Sequence, residues 1–491
     1  MRFADSIGRH AQATPDKTAL QFDGQNISYQ QLWQRVEVAQ ESLTEQGIGP
    51  GDRVAWLGLN DPAMLVLLLA LSQLGGILLP LNYRLARAEM QAILAHAQVS
   101  LLLSDAAHQK LAQELTALAD PFPSDDGSEA FESQRVQTPD AMLLVYSSGT
   151  TGLPKGAMHT HASMLANCVA SQHAHGFTPE DHVLTVLPLF HVGGLCIQTL
   201  PALYAGACVT LHARFDAGDW LRDVARLRPT MSLLVPATLR AVISHADFPV
   251  TDLSSLQLLN AGSSTIPLSM INAFHARGIP VCQVYGATET GPVSIYLQRH
   301  EAMHQAGSAG RAGLNVAVRL VDPAGVDVPP GDVGEIWLQA PNLMGGYWRD
   351  AQNPAFHNSW FHTGDLARCD PQGFYWVVGR SKDMIISGGE NIYPTEIENI
   401  LADCRAIAEV AVMGMPDERW GEVAVAVIVP VAGSGLNVDL VLALLDGQIA
   451  RYKFPKRVLF VDALPKTALG KIQKAQLAID LSRLTLPSPI A

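Results

Sequence analysis

Cysteine is scarce in this sequence, and its spacing argues against two classes of small scaffold. Six of the 491 residues are cysteine, and no two of them form a Cys-x-x-Cys pair. This pattern is typical neither of a disulfide-stapled secreted domain nor of a cysteine-based zinc site. The N-terminal segment also has no apolar run like that of a signal peptide. We therefore expect free thiols in a reducing compartment and a cytoplasmic protein.

Basic residues are outnumbered by acidic ones. The sequence has 33 Lys and Arg residues against 46 Asp and Glu residues, which gives a formal charge of −13. A net negative charge disfavours general binding to nucleic acid or to an anionic membrane. Any site for a polyanion must therefore be local. The segment from Arg451 to Lys474, in which Asp462 is the only acid, is a candidate basic strip, although most charge runs are solvated faces.

Long apolar runs are nearly absent. Apolar residues make up 48% of the chain and charged residues 16%, as in ordinary globular proteins. The one long apolar stretch, Ala63 to Leu81, is interrupted by Gly75-Gly76 and Pro80. We therefore predict a buried helix followed by a short strand, rather than a membrane span. A chain of 491 residues is too long for one core, so two or more domains are expected.

The Walker pattern of kinases and GTPases is also missing, since it needs Gly-Lys followed at once by Ser or Thr. Instead, a stretch of hydroxyl residues and glycines, Tyr146 to Gly156, follows the apolar run Ala141 to Val145. Small residues let backbone N–H groups approach an anion, and Lys155 adds a positive charge. The sequence therefore predicts a phosphate-binding loop of another kind. A loop of this composition is often no more than a turn, so the remaining chain must decide.

Helix-like and strand-like segments alternate along most of the chain. Ser28 to Gln31 has the form of a capping box, and apolar residues at helical spacing predict a surface helix that Gly47 closes. Period and length predict strands at 53–57, 76–79, 183–187, 207–211, 231–235, 256–260 and 281–285, and helices at 63–74 and 89–97. This alternation indicates an α/β fold with parallel sheets. The acidic, Pro-containing segment 120–140 is predicted to be an exposed loop.

The pattern changes toward the C-terminal end. From about Gly331, short strands such as 334–338 and 373–378 are separated by Gly and Asp turns. Beyond Arg380, the pattern predicts a compact α+β unit whose helix begins near Pro394 and whose strands include 409–413 and 423–429. We therefore place a domain boundary between Arg380 and Asp383.

Three further clusters carry chemically useful side chains. His191 ends the segment Leu187 to Gly194, where an imidazole can face a cavity or be an ordinary core histidine. Tyr285 to Gly291 exposes an aromatic ring, hydroxyls and a carboxylate, as a hairpin end also can. The carboxylate of His362-Thr-Gly-Asp365 suits ribose hydroxyls, and Arg380 suits a hydroxyl or a phosphate, although Gly-Asp is also common in surface turns.

Four histidines surround the segment after the phosphate loop: His159, His161, His173 and His175. Their spacing does not match the usual zinc patterns. We interpret them as polar residues that flank a helix.

In this order and spacing, the clusters resemble the adenylate-forming superfamily of acyl-CoA synthetases, peptide-synthetase adenylation domains and beetle luciferases. Segments 387–391 and 465–471 also match, and the resemblance extends from Gly51 to Lys471. It implies a large N-terminal domain, residues 1–380, of helix-covered sheets with a small β-barrel-like part. It also implies a small mobile α+β C-terminal domain, residues 383–491, with a hinge near 381–382, where Lys382 lies.

The resemblance implies two half-reactions and three cofactors, ATP, Mg²⁺ and CoA. A carboxylate attacks the α-phosphorus of ATP to give an acyl-adenylate and pyrophosphate, and a thiol then displaces AMP. Because the substrates supply both nucleophiles, the protein positions groups and stabilises charge.

The resemblance also implies roles for named residues. The β- and γ-phosphates should be held by Ser147, Ser148, Gly149, Thr150, Thr151, Gly152 and Lys155, with Thr150 and Glu289 near Mg²⁺. Tyr285 and the backbone of Gly262, Ser263 and Ser264 should flank adenine, with Gly286 and Thr288 in the same site. Asp365 and Arg380 should bind the ribose. Lys471, from the other domain, should reach the α-phosphate during adenylation. In a rotated state, Gly388, Gly389 and Glu390 should line a pantetheine tunnel beside Trp420, and basic residues near 452–456 should meet the CoA nucleotide.

His191 bears on the substrate. Amino-acid-activating relatives usually carry Asp at this position, so an amino acid is disfavoured, and His191 resembles the residue that borders the acyl pocket in acyl- and aryl-CoA ligases. No cation for a second carboxylate lies near it in the sequence, which favours a largely apolar monocarboxylate. The matching pocket positions are Gly193, Ile197, Ser263, Val284, Gly286, Pro292 and Val293. Val284 stands where many aryl ligases have glycine, so aliphatic acids and hydroxycinnamate-type aryl acids rank nearly equal.

The expected protein is an AMP-forming acyl-CoA or aryl-CoA ligase that binds a small carboxylic acid and CoA. We expect neither binding to nucleic acid nor integral association with a membrane. We expect a monomer or a homodimer. The alternatives are an acyl-adenylate former with another acceptor, such as a carrier protein or oxygen in a luciferase-like reaction, and a nonenzymatic nucleotide or acyl sensor. Retention of Lys471, Glu289 and Asp365 together argues against the sensor.

Overall fold

A computed structural model describes residues 2–117, 140–147, 155–264, 266–350, 356–417, 419–467 and 470–482. The helices of these residues are α1 (Ala4–Ala13), α2 (Tyr29–Glu45), α3 (Pro62–Leu74), α4 (Arg87–Ala97), α5 (Gln109–Ala117), α6 (His161–His175), α7 (Val192–Gly194), α8 (Leu200–Ala205), α9 (Ala217–Leu227), α10 (Pro236–Ile243), α11 (Leu268–His275), α12 (Arg299–Ala302), α13 (Pro394–Ala402), α14 (Val438–Leu445) and α15 (Lys474–Ser482).

The strands of the same residues are β1 (Thr18–Phe22), β2 (Gln25–Ser28), β3 (Arg53–Leu57), β4 (Ile77–Leu81), β5 (Leu101–Ser104), β6 (Ala141–Ser147), β7 (Lys155–Thr160), β8 (His182–Thr185), β9 (Cys208–Leu211), β10 (Met231–Leu234), β11 (Leu258–Gly262), β12 (Val281–Tyr285), β13 (Ile295–Tyr296), β14 (Arg311–Ala312), β15 (Ala317–Val321), β16 (Val333–Gln339), β17 (Gly346–Tyr347), β18 (Phe356–His357), β19 (Trp360–Cys369), β20 (Tyr375–Arg380), β21 (Ile385–Ser387), β22 (Glu390–Ile392), β23 (Ile407–Asp417), β24 (Gly421–Pro430) and β25 (Arg457–Phe460).

Two large sheets form the first part of the chain. In one, the strand order is β14-β13-β12-β11-β10-β8-β9-β1-β2, and in the other it is β17-β7-β6-β4-β3-β5. The central strands of both sheets are parallel, from β1 to β12 in the first and from β5 to β6 in the second. Antiparallel strands β7 and β17 extend the second sheet at the edge where the predicted phosphate loop begins.

The hydrophobic core places these two sheets in a five-layer arrangement. Residues such as Leu20 of β1 and Val54 of β3 share one core with α1, α2, α3, α6 and α8, so these helices lie between the sheets. Trp220 and Phe274 pack α9 and α11, together with α10, against the outer face of the first sheet. Met90 packs α4 and, with its neighbours, α5 against the outer face of the second. Helices thus cover both faces of each parallel sheet.

Two smaller sheets follow. The first is antiparallel, with the order β15-β16-β19-β18 and β20 paired to β19. The second has the order β22-β21-β24-β23, with β25 parallel to β24. Ile397 and Val441 pack α13 and α14 on one face of this last sheet, and Leu477 packs α15 on the other. A short 3₁₀ turn at Ser381–Asp383 joins the two small sheets.

The predicted fold class is confirmed. Strands β3 and β12 have the predicted bounds, and α2 begins with the predicted capping box at Ser28. The apolar stretch from Ala63 to Leu81 is divided between α3 and β4, with Gly75 in the left-handed conformation (φ 79°) between them. Within the described ranges, no helix has both the length and the apolar character needed to cross a membrane. The predicted loop 120–140 lies outside the described residues except for Asp140.

Candidate active site

The predicted site residues lie where strands of both large sheets end. Strand β6 leads into the phosphate loop, β11 ends at Gly262, and β12 ends at Tyr285. In open α/β sheets, ligands bind beyond the carboxyl ends of the strands, where the connecting loops leave a crevice. Ser263, Ser264 and part of the His191 side chain are accessible to solvent there. The sheets therefore present the predicted residues to an open cleft.

Asp365 and Arg380 form the best-defined charged contact of this cleft. They stand opposite each other on β19 and β20, and Arg380 Nε lies 2.9 Å from Asp365 Oδ1. The hydroxyl of Tyr285 donates to Asp365 Oδ2 at 2.8 Å. Asp365 is buried, and its charge raises the pKa of Arg380. Each carboxylate oxygen has a second lone pair, so Asp365 keeps acceptor capacity for ligand hydroxyls.

Lys471 reaches this cluster from the C-terminal part of the chain. Part of Lys471 is exposed to solvent, but protein surrounds its ammonium group. This desolvation lowers the pKa of Lys471, and the positive charge of Arg380 lowers it further. Asp365 acts in the opposite direction. The charge of Lys471 also contributes to the lowered pKa of His191. Lys471, Asp365, Arg380 and His191 therefore share one electrostatic environment, although they come from distant parts of the sequence.

A tight loop positions Lys471. The backbone N–H of Thr467 donates to Lys471 O at 2.7 Å, and the N–H of Gly470 donates to Thr467 O at 2.8 Å. Gly470 has a positive φ of 78°, and a Cβ on it would lie 3.0 Å from Cβ of Ala237 at the start of α10. Glycine is therefore needed where the loop packs against the large domain. Arg240, one turn further along α10, donates to the carbonyl of Ala408.

His191 has a defined tautomer. Its Nδ1 accepts a hydrogen bond from Gly193 N at 3.0 Å, which leaves the proton of the neutral ring on Nε2. Burial, and then the charge of Lys471, lower the pKa of His191 to about 4. The ring is therefore neutral at physiological pH and presents an N–H donor at Nε2.

Glu289 and Lys155 lie on either side of Tyr347. The hydroxyl of Tyr347 donates to Glu289 Oε1 at 2.7 Å, and Lys155 Nζ lies 5.2 Å from the centre of the Tyr347 ring. Sequence reasoning missed Tyr347. Its signal was a pair of aromatic residues directly after Gly345-Gly346, which was too general to indicate a role.

Backbone contacts explain the glycines and serines of the predicted adenine site. A Cβ on Gly262 would lie 2.6 Å from Val284 O, and one on Gly286 would lie 1.8 Å from Pro292 O. Ser263 has a left-handed backbone (φ 71°), a conformation that non-glycine residues seldom adopt outside functional turns. Thr288 is buried, and its carbonyl lies 2.8 Å from His159 Nε2. The backbone at these positions is thus held close to the cleft.

Part of the predicted phosphate loop is outside the described residues. This applies to Ser148, Gly149, Thr150, Thr151 and Gly152, and to the side chain of Ser147. The described ends of the loop are the strand partners Ser147 and Lys155, which lie opposite each other on β6 and β7. The assignment of these residues to phosphate and metal stays a prediction.

The residues predicted to meet CoA lie on the outside of the C-terminal unit. Gly388, Gly389, Glu390 and Trp420 are exposed, and no hydrogen bond or ion pair in the described part of the chain joins them to the cleft. Gly388 packs on Trp420, since a Cβ at Gly388 would lie 2.7 Å from the indole. The charges of Asp365 and Arg380 therefore act on Lys471, whereas no hydrogen bond or ion pair among the described residues joins these four residues to that pair.

Three of the seven basic residues in the predicted basic strip, 451–474, are paired with acids from other segments. Lys453 pairs with Glu396 at 2.6 Å, Lys474 pairs with Glu398 at 2.8 Å, and Lys466 pairs with Glu409. These acids come from β23 of the sheet and from α13, which packs on it, and both elements are distant in sequence from 451–474. Charge counting along one segment could not include them.

The predicted acyl-pocket positions converge on one apolar cluster. Ile197, Val284 and Val293 pack together with Leu187 and Tyr296. Ile197 lies in a π-helical turn, Leu195–Thr199, of a kind that is frequent at functional sites. The position of a Cβ on Gly193 would be 3.2 Å from His191 Nδ1 and 3.9 Å from Ser263 Oγ. The pocket positions therefore adjoin the His191 ring.

Sequence reasoning did not find two polar supports of this pocket. His173 Nδ1 lies 2.7 Å from the hydroxyl of Tyr296, which also accepts from Leu314 N at 2.9 Å. Asn167 of α6 donates to Cys196 O at 2.7 Å and accepts from Val293 N at 3.3 Å. These bonds hold α6 against the π-helical turn and against residues 293–296.

Three of the four histidines interpreted as polar helix-flanking residues are buried: His159, His161 and His175. His159 is on β7, and His175 ends α6. Burial lowers the pKa of His159 to about 4 and that of His175 to about 3, because a charged imidazolium is poorly solvated there. Both rings are therefore neutral in the folded protein.

These buried histidines predict a loss of stability in acid. Because their pKa values rise on unfolding toward 6.5, the unfolded chain binds more protons below that pH. Stability is full above pH 6.5 and falls as the pH drops toward the folded values. The midpoint of thermal unfolding should therefore be lower at about pH 5 than at about pH 7.5. His175→Gln should reduce this difference, whereas exposed His300→Gln should not; equal pH dependence in all three proteins would contradict the assignment.

Comparisons with known proteins agree with this geometry. Residues 7–348 match the family described as AMP-binding enzyme, and residues 396–471 match the AMP-binding enzyme C-terminal domain. The chain is 44% identical to an indoleacetate–CoA ligase of Aromatoleum aromaticum, over 96% of this chain and 97% of that protein. It is 40% identical to a feruloyl-CoA synthase of Amycolatopsis, over 95% of this chain and 96% of that protein.

Solved structures show the same similarity. The o-succinylbenzoate CoA synthetase of Bacillus subtilis in complex with its acyl-adenylate intermediate has a TM-score of 0.85 and 29% identity, covering 98% of both chains. The same enzyme with ATP and a magnesium ion has a TM-score of 0.84 and 30% identity, covering 96% of this chain and 99% of that one. The similarity thus extends over both parts of the chain.

Proposed function

Because the chain belongs to the AMP-binding enzyme family and is an AMP-forming acid–CoA ligase, we propose that it activates an aryl acid. It uses ATP, Mg²⁺ and CoA, and it releases AMP and pyrophosphate. The observation that supports the site assignment is the cluster of Asp365, Arg380 and Tyr285, in which the charges of Asp365 and Arg380 act on the pKa of Lys471 from the C-terminal unit. A mobile cation at this point suits the charge that develops on the α-phosphate.

The described residues fit a nucleotide and a metal. Asp365 has acceptor capacity for the two ribose hydroxyls, and Arg380 and Tyr285 hold its orientation. Glu289 supplies a carboxylate oxygen, which is the kind of ligand that Mg²⁺ prefers. Bound Mg²⁺ would neutralise phosphate charge. Lys155 and Glu289 both contact Tyr347, and Lys155 is proposed to hold the departing pyrophosphate.

His191 and the apolar cluster around Val284 are proposed to hold the acid. The neutral ring of His191 donates from Nε2 toward the reacting carboxylate, and it does not bring a competing positive charge. The low pKa of His191 keeps this state through the physiological pH range. The carboxylate is then positioned for attack on the α-phosphorus.

Thioester formation is proposed to need a different orientation of the C-terminal domain, residues 383–491, relative to residues 1–380. The residues that the family uses for pantetheine, Gly388, Gly389, Glu390 and Trp420, are on the outside in the present orientation. A turn about Lys382, which is exposed in the 3₁₀ turn between β20 and β21, would exchange them with Lys471. We therefore propose that the present orientation is that of adenylation.

The aryl class is supported by two findings. The relatives described above act on indoleacetate, ferulate and o-succinylbenzoate, which all carry an aromatic ring. The cluster of Leu187, Ile197, Val284 and Val293 offers an apolar wall for such a ring. The aliphatic acids, which rank nearly equal on sequence alone, become the less favoured class.

Pyrophosphate release, measured with and without CoA, tests the proposal. The acids are indole-3-acetate, ferulate, 2-succinylbenzoate and decanoate, and product thioesters are identified by mass spectrometry. We expect release with at least one aryl acid and formation of its CoA thioester. Release only with decanoate would overturn the substrate class, and release without acylation of CoA would indicate another acceptor.

Val284→Ala tests the pocket wall. Loss of two methyl groups should give bulkier acids more room, and one methylene in such a pocket is worth roughly tenfold in kcat/KM. We therefore expect kcat/KM for ferulate to rise relative to that for a smaller acid such as benzoate. Val281→Ala is the matched control, since Val281 is on the same strand but packs against the opposite core. If both variants change the ratio equally, Val284 does not face the acid.

The finer points of partner and location are also proposals. All six cysteines are free, and Cys168, Cys196 and Cys282 are buried, which supports a reducing, cytoplasmic location. The charge of −13 supports an enzyme that acts without nucleic acid. We propose a monomer or a homodimer, which sedimentation at two protein concentrations would distinguish.

A further inference from the structure

Tyr347 contacts two predicted active-site residues of opposite charge in two different ways. Its hydroxyl donates to Glu289 Oε1 at 2.7 Å, and its ring lies beneath the Lys155 ammonium, with 5.2 Å between Nζ and the ring centre. Lys155 and Glu289 form no ion pair with each other in the described part of the chain. The ring of Tyr347 thus contacts the cation through its face, while its hydroxyl contacts the carboxylate.

The backbone fixes this insertion from both sides. Strand β17 pairs with β7, so that Tyr347 stands opposite Ala157, two residues beyond Lys155. On the other side, Met344 N donates to Glu289 O at 2.8 Å. Trp348 N donates to Gly156 O at 2.7 Å. Tyr347 is therefore held between the strand that carries Lys155 and the turn that carries Glu289.

We propose that Tyr347 is a positioning residue that orients Glu289 toward the metal and keeps Lys155 available for the pyrophosphate. The inference rests on the proposed function, which assigns Glu289 and Lys155 these tasks. The phenol bond fixes one carboxylate oxygen and thereby the direction of the other. The ring stabilises the ammonium through its π face without neutralising it, as a carboxylate would.

Two substitutions separate these two effects. Tyr347→Phe keeps the ring beneath Lys155 and removes the hydroxyl bond to Glu289. Tyr347→Leu removes both contacts and lets Lys155 pair with Glu289. Tyr375→Phe is the matched control, because Tyr375 is also half-buried and loses only the contact of its hydroxyl with Cys369.

The measurement is ATP binding by titration calorimetry, without acid or CoA, over a range of Mg²⁺ concentrations and in excess EDTA. Removal of an outer-shell partner typically weakens metal affinity about 10- to 100-fold, so Tyr347→Phe should raise the half-saturating Mg²⁺ concentration about tenfold or more. ATP binding in EDTA should be unchanged in this variant. Tyr347→Leu should show the same Mg²⁺ effect and also weaker ATP binding in EDTA. Tyr375→Phe should match the wild type both in the half-saturating Mg²⁺ concentration and in ATP binding in EDTA.

Glu289→Gln distinguishes failure of this inference from failure of the proposed function. If Glu289→Gln loses the Mg²⁺ dependence and Tyr347→Phe keeps it unchanged, Tyr347 does not position the carboxylate. If Glu289→Gln behaves like the wild type, the metal role of Glu289 is itself wrong. If Tyr347→Phe and Tyr347→Leu lose ATP affinity in EDTA to the same extent, the ring does not support Lys155.

Discussion

Lys471→Ala is expected to slow adenylation by about 10²- to 10³-fold, which is the range for removal of one group that stabilises transition-state charge. It should leave thioester formation from preformed acyl-adenylate near the wild-type rate. In the present orientation, the charges of Asp365 and Arg380 act on the pKa of Lys471, and the charge of Lys471 acts on the pKa of His191. In the second half-reaction, the C-terminal domain is proposed to have turned it away. The two half-reactions are measured separately, by pyrophosphate release and by CoA consumption.

A matched control comes from the same loop. Lys466 pairs with Glu409 and takes no part in the charged cluster, so Lys466→Ala should keep both half-reactions. Equal loss of both half-reactions in Lys471→Ala would contradict the assignment of Lys471 to the first step alone.

The pH profile gives a second readout for Lys471. Burial, followed by the charge of Arg380, lowers its pKa from the ordinary value near 10.5. The cation is present below this lowered pKa and is lost as the pH rises through it. As the pH rises, the rate of adenylation by the wild type should therefore begin to fall at a lower pH than that at which a free lysine titrates. The residual rate of Lys471→Ala should not show this fall.

Local elements could be predicted from the sequence because local patterns determine them. The capping box at Ser28 and the apolar strand at 53–57 appear as expected, since hydrogen bonding within a few residues specifies the first and burial of both faces specifies the second. The glycine positions were also informative. Gly286 is needed because Pro292 O lies where a Cβ would be.

The contacts that make the site depend on pairings between distant segments. Tyr347 acquires its role only when β17 pairs with β7, and Lys453 loses its apparent freedom only when α13 brings Glu396 beside it. Neither pairing has a signal in the local sequence. The resemblance to a family supplied Asp365 and Arg380 as ribose ligands, but the cross-strand ion pair between them appeared only in the structure.

Asp365→Asn is expected to have the second large effect, a loss of ATP affinity of about tenfold to a hundredfold. The substitution keeps the shape of the side chain and removes the negative charge that orders Arg380 and accepts from Tyr285. Hydrogen bonds to charged groups are worth about 1.5–3 kcal/mol each, and the ribose diol would lose its charged acceptor. The measurement is KM for ATP in pyrophosphate release, with the thermal midpoint recorded to show that the fold is kept. Asp327→Asn, which breaks the ion pair with Arg319 in the same small sheet, is the control and should leave KM unchanged.

The nucleotide can be varied together with Asp365 to separate a ribose contact from a structural role. If Asp365 binds the ribose, removal of a hydroxyl from ATP and removal of the charge from Asp365 delete the same interaction, and their effects should not add. The penalty of Asp365→Asn should therefore be smaller with 2′-deoxy-ATP or 3′-deoxy-ATP than with ATP. A structural role, in which Asp365 only holds Arg380 and Tyr285, predicts the same penalty for all three nucleotides. The ratio of KM values thus distinguishes ribose recognition from support of the cation that faces Lys471.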